Sequence, residues 1–192
     1  TLQQFKSLFG RDNLGLIYFD AHPDAKLSSS KLHARWMAES IKEGLVLRDR
    51  VLLLGCRAEE MGEESQFLVQ NKIALMRAHD FCTNPREQWE LALYNILAKW
   101  QKPLVHISID IDVLDPSEAP GTLHRSSGGM RLAEHLLPAL KVISQSGVKV
   151  VSMDLVEINP DLDPTENEIH PGITVNSTMT LIRELAALFG KE

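Results

Sequence analysis

The stretch Leu14-Gly15-Leu16-Ile17-Tyr18-Phe19-Asp20-Ala21-His22-Pro23-Asp24 decides the fold. A short, nearly continuous apolar run ends abruptly in an acid–histidine–acid cluster. Such a run suits a parallel strand covered on both faces, where strict polar alternation is not needed. Four more runs of the same kind follow: Arg50–Leu54, Ile73–Met76, Pro103–Ile109 and Val148–Met153. Helical stripes lie between and after them. Trp89, Leu93, Ile96, Leu97 and Trp100 share one face, with Asn84 expected as its cap, Pro85 at its first position and Glu87 completing a capping box. Leu132, Leu136, Leu140 and Ile143 form a second stripe ended by Gly147, and Ile182, Leu185 and Phe189 a third ended by Gly190. Leu2, Phe5, Leu8 and Phe9 form an opening stripe closed by Gly10. Alternating strands and helices predict a three-layer α/β/α domain around a parallel sheet of five strands.

The chain has 192 residues, enough for one domain and short for two, so residues 1–192 are read as a single domain. It carries 20 basic and 26 acidic residues, a net charge of -6. That balance argues against nonspecific nucleic-acid binding, which needs a basic face. Cys56 and Cys82 are too few for a disulfide framework, which makes a reducing compartment the default. No apolar run is long enough to span a bilayer, so no membrane partner is expected. The first residue is Thr1 and a helical stripe begins at once, which reads as entry into the middle of a larger domain.

In open parallel sheets ligands bind beyond the carboxyl ends of the strands. The first strand is followed by Asp20, His22 and Asp24, the fourth by Asp110, Asp112 and Asp115-Pro116, and the fifth by Asp154 and Glu157. In extended backbone, residues two apart point the same way, so Asp20, His22 and Asp24 can converge, and so can Asp110 and Asp112. Asp115-Pro116 reads as a turn. Asp110 and Asp112 cannot be dismissed in that way. An unpaired carboxylate at the end of a strongly apolar strand costs several kcal/mol, and two repel unless a cation lies between them. Four carboxylates and one imidazole favour Mn²⁺ over Mg²⁺ or Zn²⁺. That much negative charge suits two ions, which about 3.5–4 Å apart can jointly activate a water molecule.

The motifs Asp-Ala-His-x-Asp, Ser-x-Asp-x-Asp-x-x-Asp-Pro and the late Asp-x-x-Glu-x-x-Pro, in that order from about Leu14 to the C-terminus, resemble the ureohydrolase family of arginase, agmatinase and formimidoylglutamase. The resemblance implies a binuclear manganese hydrolase of guanidino or formimino groups. It assigns Asp20 and Asp110 as bridging ligands, His22 and Asp112 to one ion and Asp24 to the other. Glu157 would pair, as a buried carboxylate, with the planar cation of a small guanidino substrate. His33 would shuttle a proton or touch the substrate; its other reading is a surface histidine. His106 and His124 receive no role.

The family's further ligand, the histidine of a Gly-Gly-Asp-His-Ser motif, has no counterpart in these 192 residues. The expectation is therefore an N-terminally incomplete or degenerate member in which one of two Mn²⁺ sites lacks a histidine. The loop Gly121-Thr122-Leu123-His124-Arg125-Ser126-Ser127-Gly128-Gly129 also departs from the family's Gly-Thr-Gly-Thr-Pro pattern. The reading is an agmatinase-like or arginase-like enzyme that releases urea. A formimidoylglutamase-type hydrolase and a non-catalytic relative are the alternatives. By resemblance a homo-oligomer, trimer or hexamer, is expected; the expected compartment is the cytoplasm, with the mitochondrion as the alternative.

Overall fold

The computed structural model describes Ser7 and residues 14–57, 62–101, 104–164 and 172–189. The expected opening stripe of Leu2, Phe5, Leu8 and Phe9 lies outside these, as do Pro103 and Gly190. The five expected strands are present: β1 Leu14–Phe19, β2 Val51–Cys56, β3 Ala74–Arg77, β4 Leu104–Asp110 and β5 Lys149–Val156. They form one parallel sheet in the order β3-β2-β1-β4-β5. The chain leaves β1 outward through β2 to β3, then crosses back to place β4 on the other side of β1. The crevice between β1 and β4 is therefore the topological switch point, where ligands of open α/β sheets bind.

The helices are α1 Trp36–Lys42, α2 Glu63–Gln70, α3 Ala78–Thr83, α4 Arg86–Ala98, α5 Leu137–Gln145 and α6 Ile173–Phe189. They divide between the two faces. Ile17, Phe19, Leu52, Leu54, Val105, Ile107 and Ile109 point into a core shared with Trp89, Leu93 and Leu97 of α4, Leu140 and Ile143 of α5, and Leu181 and Leu185 of α6. The alternate residues Leu14, Leu16, Tyr18, Val51 and Leu53 point the other way, onto Met37 and Ala38 of α1 and Phe67 and Leu68 of α2. Two buried cores on one sheet make the three layers, with strand alternation sorting the side chains between them.

The alternation matters most in β4. Its odd positions fill the first core, while His106 and Ser108 face the opposite side. There β5 presents Ser152 and Asp154 in register with them. β5 is an edge strand, half-exposed along much of its length.

Several local expectations need correction. Asn84 does not cap α4: Pro85 occupies the cap position, no side chain caps the helix, and the Asn84 amide instead donates to Asp80 O at the end of α3. The α5 stripe opens with a π-helical turn, Leu132–Leu136. β5 runs three residues beyond its predicted end, which puts Asp154 inside the strand and Glu157 immediately after it. At the end of β2, Gly55 adopts φ +91, and a Cβ there would run into the Val113 side chain. A glycine lets the β2 end pass close under the loop that carries Asp112.

Candidate metal centre

β1 and β4 end side by side, with Phe19 paired to Ile109. Asp20 is thus the first residue beyond β1 and Asp110 the last of β4, at neighbouring places on the carboxyl edge. Backbone N–H groups aim the carboxylates. His22 N donates to Asp20 Oδ1 at 2.6 Å, Asp112 N to Asp110 Oδ1 at 2.9 Å, and Ala21 N to Asp112 Oδ1 at 3.1 Å. The last bond stitches the β1 loop to the short 3-10 turn Ile111–Val113 after β4. Arg57 secures that turn from below, donating from Nη1 to Val113 O at 2.9 Å and from Nη2 to Asp112 O at 2.6 Å.

Asp20, His22 and Asp112 each offer a ligand atom, and these atoms lie within 4.8 Å of one another. The imidazole meets the carboxylates through Nδ1, 3.0 Å from Asp112 Oδ2 and 3.5 Å from Asp20 Oδ1. Asp24 and Asp110 line the same space. Two adjoining cavities of about 420 and 180 Å³ share Asp20, Asp24, His33, Asp110 and Glu157 in their walls, and His22 and Asp112 complete the smaller one. Trp36 Nε1 donates to Asp24 Oδ2 and so fixes that side chain. All seven residues singled out from the sequence therefore converge on one place. One expectation about them differs: Glu157 is exposed rather than buried, at the end of the edge strand of the described sheet, where the chain turns out with φ 61.

The electrostatics show what this donor set demands. Burial, reinforced by the Asp112 charge, pushes Asp20 from 3.8 to about 6 even though His22 opposes the rise. Burial and the Asp20 charge push Asp24 to about 9 and Asp110 to about 10. Hydrogen bonds to Asp112 and then Asp20 lift His22 to about 10. Carboxylates held this close take up protons because positive charge is short. A divalent cation supplies that charge, and an oxygen-rich set with one imidazole suits Mn²⁺. The residues present therefore fit a divalent metal.

Three neighbours went unassigned in the sequence. His106 is buried beneath the larger cavity, its Nδ1 2.6 Å from Ser152 Oγ and its Nε2 3.2 Å from Asp154 Oδ2. Burial opposes ionisation of Asp154, but hydrogen bonds from His106 and Ser108 hold its carboxyl below the usual range. The alternation of β4 could have flagged this group, since His106 and Ser108 fall on the same face as Asp110. Glu64 accepts from Ala25 N at 3.1 Å and fastens the Asp24 loop to α2. His124 lies 5.8 Å from His22 and 6.3 Å from His33, ring centre to ring centre. No local pattern marks it. Asp115, read as a turn, accepts from Ser117 N at 3.0 Å and Ser117 Oγ at 2.7 Å, as a turn aspartate does.

Comparison with known proteins agrees with this geometry. A sequence model described as Arginase family matches residues 1–187. An arginase of Staphylococcus aureus (strain MRSA252) is 32% identical over 181 residues, covering 87% of this chain and 59% of that protein. An agmatinase of Bacillus subtilis (strain 168) is 30% identical over 186 residues, covering 93% of this chain and 56% of that protein. The crystal structure of an arginase from Bacillus subtilis superposes with a TM-score of 0.75 at 27% identity, covering 94% of this chain and 64% of that one. The chain thus spans less than two thirds of the length of these relatives. Among the described residues, no helix is long and apolar enough to cross a membrane.

Proposed function

The chain belongs to the arginase family, and from that premise we propose that it carries the catalytic centre of a manganese-dependent hydrolase of guanidino C–N bonds. The observation that carries the reading is the convergence of Asp20, His22 and Asp112 on one point, with Asp24 and Asp110 in the same cavity. These five side chains would hold two Mn²⁺ ions, Asp20 and Asp110 serving both. Bound ions supply the activation of a water molecule for attack on the amidine carbon. The chain's own groups do the rest. Glu157 accepts hydrogen bonds from the guanidinium and turns its carbon toward the metal-binding carboxylates. His33, at the mouth, delivers a proton to the departing nitrogen, so that urea and an amine leave. Agmatine and arginine are the substrates proposed, as the names of the relatives suggest.

The test is titration of Mn²⁺ into the protein by calorimetry, together with urea release from agmatine and arginine. Manganese binding that is weakened mainly at one of two sites in Asp112→Ala, with urea release from either substrate, is the expected result. Manganese affinity unchanged in Asp112→Ala would overturn the assignment of the centre. A protein that binds manganese and hydrolyses neither substrate would overturn the proposed activity.

A further inference from the structure

We infer that His124 determines specificity: its imidazole, facing His33 across the mouth, forms a wall of the amidine pocket and accepts a hydrogen bond from the substrate's guanidinium. The inference rests on the activity proposed above and adds a residue to it.

The first observation is placement. The ring of His124 packs edge-on against that of His22 at 76°, and tilted against His33 at 45°. It lines the smaller cavity with Asp112, Asp110 and Glu157. A group bound between the carboxylates and Glu157 would meet it.

The second observation is how the loop is held. Gly121 N donates to Thr174 Oγ1 at 2.6 Å, and Gly121 O accepts from Asn159 N at 2.8 Å. A Cβ on Gly121 would stand 2.8 Å from the Asp163 side chain, so only glycine allows this approach. Thr122 is buried, and Arg125 Nη2 reaches Leu162 O at 3.2 Å. Between these anchors Leu123 and His124 project, and both are exposed, Leu123 by 65%. The loop is pinned at both ends and spends its tip on the cavity. An exposed imidazole contributes little to the core, so its place at the tip is explained by what enters there.

The chemistry follows from the wall. Around an amidine, carboxylates accept from nitrogens on the buried side, and Glu157 and an imidazole nitrogen of His124 accept on the open side. A ring at this position also takes up space. An extra methyl on a guanidino nitrogen would meet the imidazole, so the site should prefer amidines without N-substituents.

The experiment uses manganese-loaded protein, wild type beside His124→Ala and His124→Gln. Kinetics are measured on agmatine and on its N-methylguanidino analogue, agmatine binding by calorimetry, and bound manganese by elemental analysis. Loss of one hydrogen bond to a charged group predicts that KM and Kd for agmatine rise about tenfold in His124→Ala. The kcat should change little, discrimination against the methylated analogue should fall, and manganese content should stay the same. His124→Gln, which keeps an acceptor, should recover part of the affinity. Unchanged KM, Kd and discrimination would overturn the inference. So would loss of manganese, which would make His124 a ligand. Wild-type protein that binds agmatine without turning it over would refute the proposed activity, yet calorimetry on the variants would still decide His124. Wild-type protein that fails to bind agmatine would overturn both.

Discussion

Replacing Asp20 with Asn should make the metal-free protein more stable and remove the stabilisation that manganese brings. Asp20 is 3% exposed and sits against Asp112 in the same cluster. Burial leads the rise of its carboxyl from 3.8 to about 6. That rise corresponds to about 3 kcal/mol by which folding disfavours the ionised form at neutral pH. The direction in pH follows. A carboxyl raised in the folded state leaves stability intact below about pH 4, and stability falls as pH climbs through about 6. Asn removes this burial penalty, and its side-chain oxygen can still accept from His22 N, as Asp20 does at 2.6 Å. His22 loses one of the two carboxylates that hold its proton, which offsets part of the gain. A net gain of about 1–2 kcal/mol is expected, and about 2–8 °C in Tm for a chain of this size. Manganese should reverse the ranking. A ligand that binds only the folded state stabilises by mass action, and the Asp20→Asn variant, short of a bridging carboxylate, binds the metal poorly. Thermal unfolding in chelator and in excess Mn²⁺, at pH 5 and pH 7.5, is the assay. Wild type should lose stability between the two pH values in chelator and gain it with manganese, while Asp20→Asn loses less with pH, because only Asp24, Asp110 and His22 still titrate, and gains little with manganese. Lower stability of Asp20→Asn in chelator at pH 7.5, or an undiminished response to manganese, would refute the reasoning.

Asp110→Ala should weaken binding of both manganese ions and Asp112→Ala mainly one, because Asp110 is assigned as bridging and Asp112 as terminal; equal losses in two-site titrations would count against that division. His33→Ala should lower turnover with manganese content intact, since His33 lines both cavities but lies outside the cluster of Asp20, His22 and Asp112. Elemental analysis beside the urea assay reads both quantities. Glu157→Gly should be more stable than Glu157→Ala by about 1 kcal/mol, because residue 157 holds φ 61 and glycine relieves it. Both variants should lose substrate affinity, and denaturant midpoints compare their stabilities.

Much of this architecture can be read directly from the residues, for physical reasons. Parallel strands covered on both faces are continuous apolar runs, so β1 to β5 stand out against the amphipathic helices. The acids at their carboxyl ends stand out because nothing in an apolar strand calls for them. The strand ends were harder to read. In β5 the polar Asp154 reads as the start of a loop, yet its Oδ2 meets His106 Nε2 across the strand pair at 3.2 Å, and pairing continues to Val156. Asn84 reads as the cap of α4 because its local spacing is right, but α3 ends immediately before it and captures the side chain. His124 could not be found by any local rule. Its position depends on Asn159, Leu162 and Thr174, which are distant in sequence and hold the loop from outside.

Among the described residues, four other than glycine adopt positive φ: Asp24, Lys72, Gln101 and Glu157. Lys72 and Gln101 follow the ends of α2 and α4, where a left-handed residue closes a helix. Asp24 (φ 49) and Glu157 (φ 61) follow no helix. Each costs about 1–3 kcal/mol where glycine would cost little, and each carries a carboxylate into the cavity. The surroundings hold Asp24 in place: Tyr18 Oη donates to Pro23 O at 3.0 Å on one side, Glu64 accepts from Ala25 N on the other, and Trp36 grips the carboxylate itself. Asp20 is opposed by burial in the same way. At three separate positions, then, the residue that best serves the fold differs from the one present, and each time the residue present is an acid facing the same space. A fold that places strained and mutually repelling acids at one edge suits cations there: under the proposed function a divalent metal would neutralise Asp20 and Asp24, and a guanidinium Glu157.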